Sequence, residues 1–159
     1  MSHDRTLAEP QFPDDDGSVD PRLAEAMARP QTDEADTAVL SVLADVRVFV
    51  PIVPILGERT PSGGDKNADM AAVLMTGADG RTALLAFSSI DAMTAWNADA
   101  RPVPVLGAGA AAAAIDEQAA AMLLDLGSPG FTVVETDDLR HLAAGDRLVV
   151  TAAGPAWVR

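Results

Sequence analysis

The chain has no cysteine and no tyrosine, and aromatic residues make up 4% of its 159 residues. Without thiols there is no disulfide, no thiolate nucleophile, no cysteine-ligated zinc and no iron–sulfur cluster. Histidine is scarce too: His3 and His141 are the two. A transition-metal site draws on several imidazoles or thiolates, so no metal is expected. Basic residues are outnumbered, with 11 Lys and Arg against 24 Asp and Glu and a net charge of −13. A field of that sign repels phosphate backbones and anionic bilayers, which argues against nucleic acid and membrane surfaces as direct partners. Solubility is the plain role of such acidity, and a basic partner protein is the sharper one. No apolar run reaches the ~20 residues of a membrane span. The acidic start, MSHDRTLAEPQFPDDD, lacks the apolar segment of a secretory signal. The expected location is the cytoplasm.

What is present suits one domain with a substantial core, since 48% of the residues are hydrophobic. Residues 1–17 are polar and read as a disordered acidic tail. Residues 18–152 read as the domain and 153–159 as a short C-terminal tail. Asp20-Pro21 is a cap followed by proline at the first helical position, and Leu23 and Met27 share a face. A second helix starts near Thr32 or Asp33, with Ala35, Val39, Val42, Leu43 and Val46 at helical spacing. Arg47–Val53 is β-branched and alternating, hence a strand, and residues 54–68 form a long loop.

Met70–Met75 and Thr82–Phe87 flank Gly77-Ala78-Asp79-Gly80, a hairpin signal. Both arms are nearly continuous apolar runs, which predicts a sheet covered on both faces. Ser88 with Asp91 reads as a capping box for a helix carrying Met93 and Trp96. Then come a strand at Val103–Leu106, a helix at Ala110–Leu126 and a turn at Gly127–Gly130. A strand at Phe131–Glu135 precedes a last helix, capped by Thr136, that runs to Ala144 and is stopped by Gly145. Leu148–Thr151 is a last short strand or a docked tail. The expected fold is α/β, bordering on α+β. It has a mixed β-sheet in which an antiparallel hairpin is followed by β-α-β-α-β, with helices packed on the sheet. Crossovers in that order imply parallel strands.

Several words of the sequence resemble the SseB protein N-terminal domain family, in the short form found in high-GC Gram-positive bacteria. They are Leu-Ala-Asp-Val-Arg-Val-Phe-Val-Pro-Ile-Val at 43–53, Asp65-Lys66-Asn-Ala-Asp69-Met70-Ala, Thr76-Gly-Ala-Asp-Gly-Arg81 and Ala83-Leu-Leu-Ala-Phe87-Ser88-Ser89. Trp96, Arg101-Pro-Val-Pro-Val and Leu124-Asp125 before Pro129 complete the series, in the family's order from about residue 33 to 145. The resemblance implies an α/β domain whose biochemical role is poorly defined. The family name refers to serine sensitivity. A similarly named sulfurtransferase carries sulfur on a cysteine, which this chain lacks. The chain reads as a form without the family's C-terminal domain.

Gly107, Gly109 and Ala112 spell G-x-G-x-x-A after an apolar strand, with Arg101 before that strand and Glu135 at the end of the next. This fits a dinucleotide fingerprint: a tight turn, a helix N-terminus for pyrophosphate and an acid for ribose. Against it, the pattern follows an earlier hairpin and helix, and small residues recur cheaply in an alanine-rich stretch. The turn is therefore read first as structural, with no cofactor expected. A nucleotide-binding protein or enzyme using Gly107, Gly109 and Glu135 is the alternative.

Asp65, Lys66 and Asp69 lie in the long loop, where the family words are strongest. They are candidate partner-binding residues or an internal ion pair. Trp96 and Arg101 are further partner-binding candidates, although the spacing of Trp96 from Met93 also suits core packing. His141 reads as a solvated helix residue, and Ser88 and Ser89 as caps rather than a G-x-S-x-G nucleophile elbow. With 24 acids, paired carboxylates carry no information, and no constellation reads as catalytic. The expectation is a domain that acts by binding another protein; the sequence does not fix its oligomeric state.

Overall fold

Three of the five described helices start at a side-chain cap; the last does not, because the hydroxyl of Thr136, expected to cap it, donates to Ala120 O at 2.6 Å. The computed structural model describes residues 11–30, 32–54 and 70–159. It contains α1 (Pro21–Met27), α2 (Asp33–Leu43), α3 (Ile90–Trp96), α4 (Gly107–Asp116) and α5 (Thr136–Ala144). The Asp20 side chain accepts from the Arg22 N–H at the start of α1, and Thr32 accepts from Ala35 N–H at the start of α2. Ala35, Val39 and Leu43 are the buried stripe of α2. The cap of α3 is Ser89, which accepts from Ala92 N–H at 3.0 Å, one residue beyond the expected Ser88. Gly145 closes α5 in the left-handed region (φ 81°), as its position predicts.

The strands are β1 (Arg47–Pro54), β2 (Met70–Ala72), β3 (Leu74–Thr76), β4 (Thr82–Ala86), β5 (Arg101–Leu106), β6 (Ala121–Leu124), β7 (Thr132–Glu135), β8 (Arg147–Thr151) and β9 (Gly154–Val158). One sheet has the order β2-β1-β5 and is antiparallel, with Val48 opposite Val105 and Ile52 opposite Ala72. A second has the order β3-β4-β6-β7, with β4 and β6 parallel and both outer pairs antiparallel. They join where Phe49 and Phe87 exchange backbone hydrogen bonds of 2.7 and 2.8 Å. Val73 forms a further seam: its N–H donates to Pro51 O, and its carbonyl accepts from Leu85 N–H. The α/β class with mixed sheets and packed helices therefore holds.

The details differ in four places. The helix expected over Ala110–Leu126 ends at Asp116; Gln118 turns the chain at φ 58°, and residues 121–124 become β6 beside β4. Alanines favour a helix throughout this stretch, but burial of Ala-Met-Leu-Leu between two strands overrides that weak preference. Parallel pairing, among the described residues, lies between β4 and β6, while β5 runs antiparallel to β1. The first arm of the hairpin is not covered on both faces, because β3 sits at a sheet edge and its residues are exposed.

The expected tails also carry structure. Residues 1–10 lie outside the described residues, but Gly17 O accepts from Ile90 N–H at 2.9 Å and Asp15 pairs with Arg47. Gly154–Val158 pairs along β8, with Leu148 opposite Trp157. The main core lies between α1, α2, α4 and α5 and one sheet face, through Leu23, Val39, Leu43, Leu84, Met122 and Leu139. A smaller cluster of Leu85, Phe87, Met93 and Ala100 lies under α3.

Candidate functional site

Polar chemistry concentrates at the sheet junction. Arg47 opens β1, is 8% exposed and places its guanidinium 4.2 Å over the Phe49 ring. Its Nη1 donates to Ser88 O at 2.8 Å, and its Nη2 donates to Asp15 Oδ1 at 2.9 Å and to Ser18 O. Its Nε lies 2.7 Å from Asp15 Oδ2, close enough for charge pairing but off the line of a hydrogen bond. Beside it, Ser88 donates its N–H to Asp125 Oδ1 at 2.6 Å and its hydroxyl to Asp125 Oδ2 at 2.5 Å. Asp125 follows β6 at φ 58° and sends its own N–H to Ala86 O at 2.9 Å.

Both Ser88 and Asp125 are 4% exposed. Burial pushes the Asp125 carboxyl above the ordinary carboxylate range, and the two hydrogen bonds from Ser88 oppose that shift. A serine against a carboxylate resembles half of a nucleophilic constellation. Here the hydroxyl is closed off from solvent and donates to the carboxylate. The cluster holds the segment before α1, the start of β1, the end of β4 and the turn after β6 in one place. Sequence reasoning missed it. The available signals were a lone arginine in an apolar strand and an Asp-Leu-Gly directly after an apolar run.

The glycine stretch has a different use. Gly107 is the first residue of α4 and donates its N–H to Val46 O at 2.9 Å, while Ala108 N–H reaches Ala44 O at 3.2 Å. The carbonyls just beyond α2 thus occupy the first two donors that a pyrophosphate would need. A Cβ on Gly107 would stand 1.8 Å from Leu43 O, so close backbone approach explains this glycine. At Gly109 a Cβ would meet Val105 Cβ alone, at 3.8 Å. Glu135 pairs with Arg81 at 3.0 Å on the exposed surface. The three residues of the dinucleotide alternative therefore serve a helix joint, a helix turn and an ion pair.

Trp96 is half-buried against Phe87, with ring centroids 5.5 Å apart, and completes the cluster under α3. Arg101 is exposed at the start of β5, opposite Ile52. Asp65, Lys66 and Asp69 lie outside the described residues. His141 is more engaged than a solvated helix residue. Its ring stacks on Trp157 at 4.8 Å and its Nδ1 is 2.8 Å from Asp146 Oδ2. Trp157 Nε1 donates to Asp138 Oδ1 at 3.3 Å, so the β8–β9 hairpin is latched to α5. Among the described residues, no group of three or more His, Asp or Glu is placed to hold a metal, and no helix is long and apolar enough to cross a membrane.

The family model of the SseB protein N-terminal domain matches residues 20–141, from the cap of α1 into α5. The chain belongs to the SseB N-terminal domain family. No curated protein and no solved structure matches it. The SseB words at 43–53, 76–81 and 83–89 fall on the end of α2, β1, the β3–β4 turn and β4. In this SseB domain β1 and the residues after β4 meet at Phe49 and Phe87, and Arg47 and Asp125 both bond Ser88.

Proposed function

We propose that this chain is a non-catalytic interaction domain of the SseB N-terminal type, working in the cytoplasm by holding another protein. The supporting observation is where its apolar surface stands. Leu74 (38% exposed) and Met75 (40%) lie on β3, Val133 (43%) on β7, and Val149 (37%) and Val150 (74%) on β8. These are sheet margins, where a partner's backbone and apolar side chains can be received together. The charge of −13 favours a partner with a basic surface, and steers it on approach. The proposed contacts are Asp65, Lys66 and Asp69, with Arg101 and the exposed part of Trp96.

Capture from native lysate tests the contacts. Lys66→Ala with Asp69→Ala is expected to lose a partner that the wild type retains, at unchanged unfolding temperature. Retention of every partner by the double variant and by Arg101→Ala would move the contact elsewhere. A thermal-shift scan against NAD, NADP, FAD, ATP, GTP and coenzyme A tests the rival class. A bound ligand at ~100 times its dissociation constant adds about 2.7 kcal/mol. Flat curves are expected, and a shift abolished by Gly109→Val overturns the non-catalytic reading.

A further inference from the structure

The strands β4 (Thr-Ala-Leu-Leu-Ala) and β6 (Ala-Met-Leu-Leu) have apolar residues on both faces, the pattern of strands that are covered twice. One face is covered: Leu84, Met122 and Val134 are 0% exposed against the main core. The register puts Ala83, Leu85, Ala121 and Leu123 on the opposite face, with Met75 of β3 and Val133 of β7 at its flanks. Met93 and Trp96 of α3 cover the Leu85 end of that face. The other end is an open apolar hollow of about 240 Å³.

Among the described residues its flanks are uncovered too. β3 and β7 are the edge strands of this sheet. Along β7 burial alternates: Thr132 and Val134 are inside, while Val133 and Glu135 are outside. The outward positions of a half-buried strand call for polar residues, as Glu135 provides, yet valine stands at 133.

Charge narrows the occupant. Among the described residues, the charged groups at the hollow are Arg81 and Glu135, which pair with each other at 3.0 Å, so they leave it without net charge. The chain as a whole carries −13. Two copies repel where acid faces acid, and a neutral apolar patch escapes that cost. A two-fold axis through the hollow would bring Arg81 of one copy opposite Glu135 of the other, and the reverse, which is self-complementary. We propose that this hollow is the isologous interface of a homodimer. It assigns the β3 and β7 margins to a second copy, and leaves the β8 margin and the contacts named above to the other protein.

Sedimentation velocity and light scattering over a wide concentration range test it. The wild type is expected to approach twice the chain mass of 16.4 kDa as concentration rises. Val133→Lys and Met75→Lys alter exposed side chains on opposite flanks, so the fold should tolerate them, and circular dichroism melts check this. Each is expected to raise the dimer dissociation constant roughly tenfold or more. Val150→Lys, on the hairpin, is expected to leave the constant unchanged. A wild-type monomer at every concentration overturns the proposal and gives the hollow to another occupant. A dimer that survives both flank substitutions, or that is broken by Val150→Lys, overturns it by placing the contact elsewhere.

Discussion

Replacing Asp125 with alanine removes the acceptor for two buried donors at once, the Ser88 amide at 2.6 Å and the Ser88 hydroxyl at 2.5 Å. A buried donor left without a partner costs about 1–3 kcal/mol. The backbone at φ 58° adds about 1 kcal/mol for alanine, whereas Asp and Asn visit that region readily. Release of a desolvated carboxylate offsets part of this, so the expected loss is about 3–5 kcal/mol. That is a large share of a typical total of ~5–15 kcal/mol. Asparagine keeps an acceptor for the Ser88 amide and can donate to the hydroxyl oxygen, so Asp125→Asn should cost about 1 kcal/mol or less. Urea unfolding at neutral pH measures both. The reasoning fails if the alanine and asparagine variants are equally stable, or if alanine costs under ~1 kcal/mol.

The same residue predicts a pH dependence. Burial raises the Asp125 carboxyl above its ordinary value of 3.8. Between 3.8 and that raised value the folded chain binds more protons at this site than the unfolded chain. The contribution of Asp125 to stability therefore falls as pH rises through that window and is level above it. Subtracting the pH profile of Asp125→Asn from that of the wild type isolates the effect. A difference that rises with pH would refute it.

Three further outcomes are expected. Gly107→Ala drives a Cβ into Leu43 O, 1.8 Å away, and should cost about 3 kcal/mol or more by chemical denaturation, while Gly109→Ala should be neutral or stabilise by up to ~1 kcal/mol. Arg47→Met strips Asp15 and the Ser18 and Ser88 carbonyls of their cation, and about 3 kcal/mol should be lost. Trp157→Ala removes the His141 stack and the bond to Asp138, so amide exchange should quicken along β8 and β9 while the β4 and β6 amides stay protected.

Elements with local punctuation were legible in the sequence. The caps at Asp20 and Thr32, the Asp79-Gly80 turn and the Gly145 stop are all set by chemistry within a few residues. What escaped depends on distant partners. Nothing near Gln118 announces a left-handed residue, and Ala121–Leu124 is a strand because β4 and β7 lie on either side of it. Asp125 is one of 24 acids, and what sets it apart is burial against Ser88, 37 residues away. The glycines at 107 and 109 illustrate the limit in reverse. They share a motif, but one is required by a carbonyl of α2 and the other has room for a Cβ in ordinary contact with Val105.

The Arg47 anchor also bears on where the domain begins. The family match starts at residue 20, after both Asp15 and Ser18. A chain begun at residue 20 would retain every helix and strand described, including α1. It would nevertheless lose the counter-ion of a cation that is 8% exposed. That guanidinium would have to move toward water and leave the Phe49 ring, or stay buried with the Ser88 carbonyl as its remaining hydrogen-bond acceptor. The length over which the sequence is recognised is thus shorter than the length that pairs the Arg47 cation, and Asp15, ahead of α1, is packed into the fold.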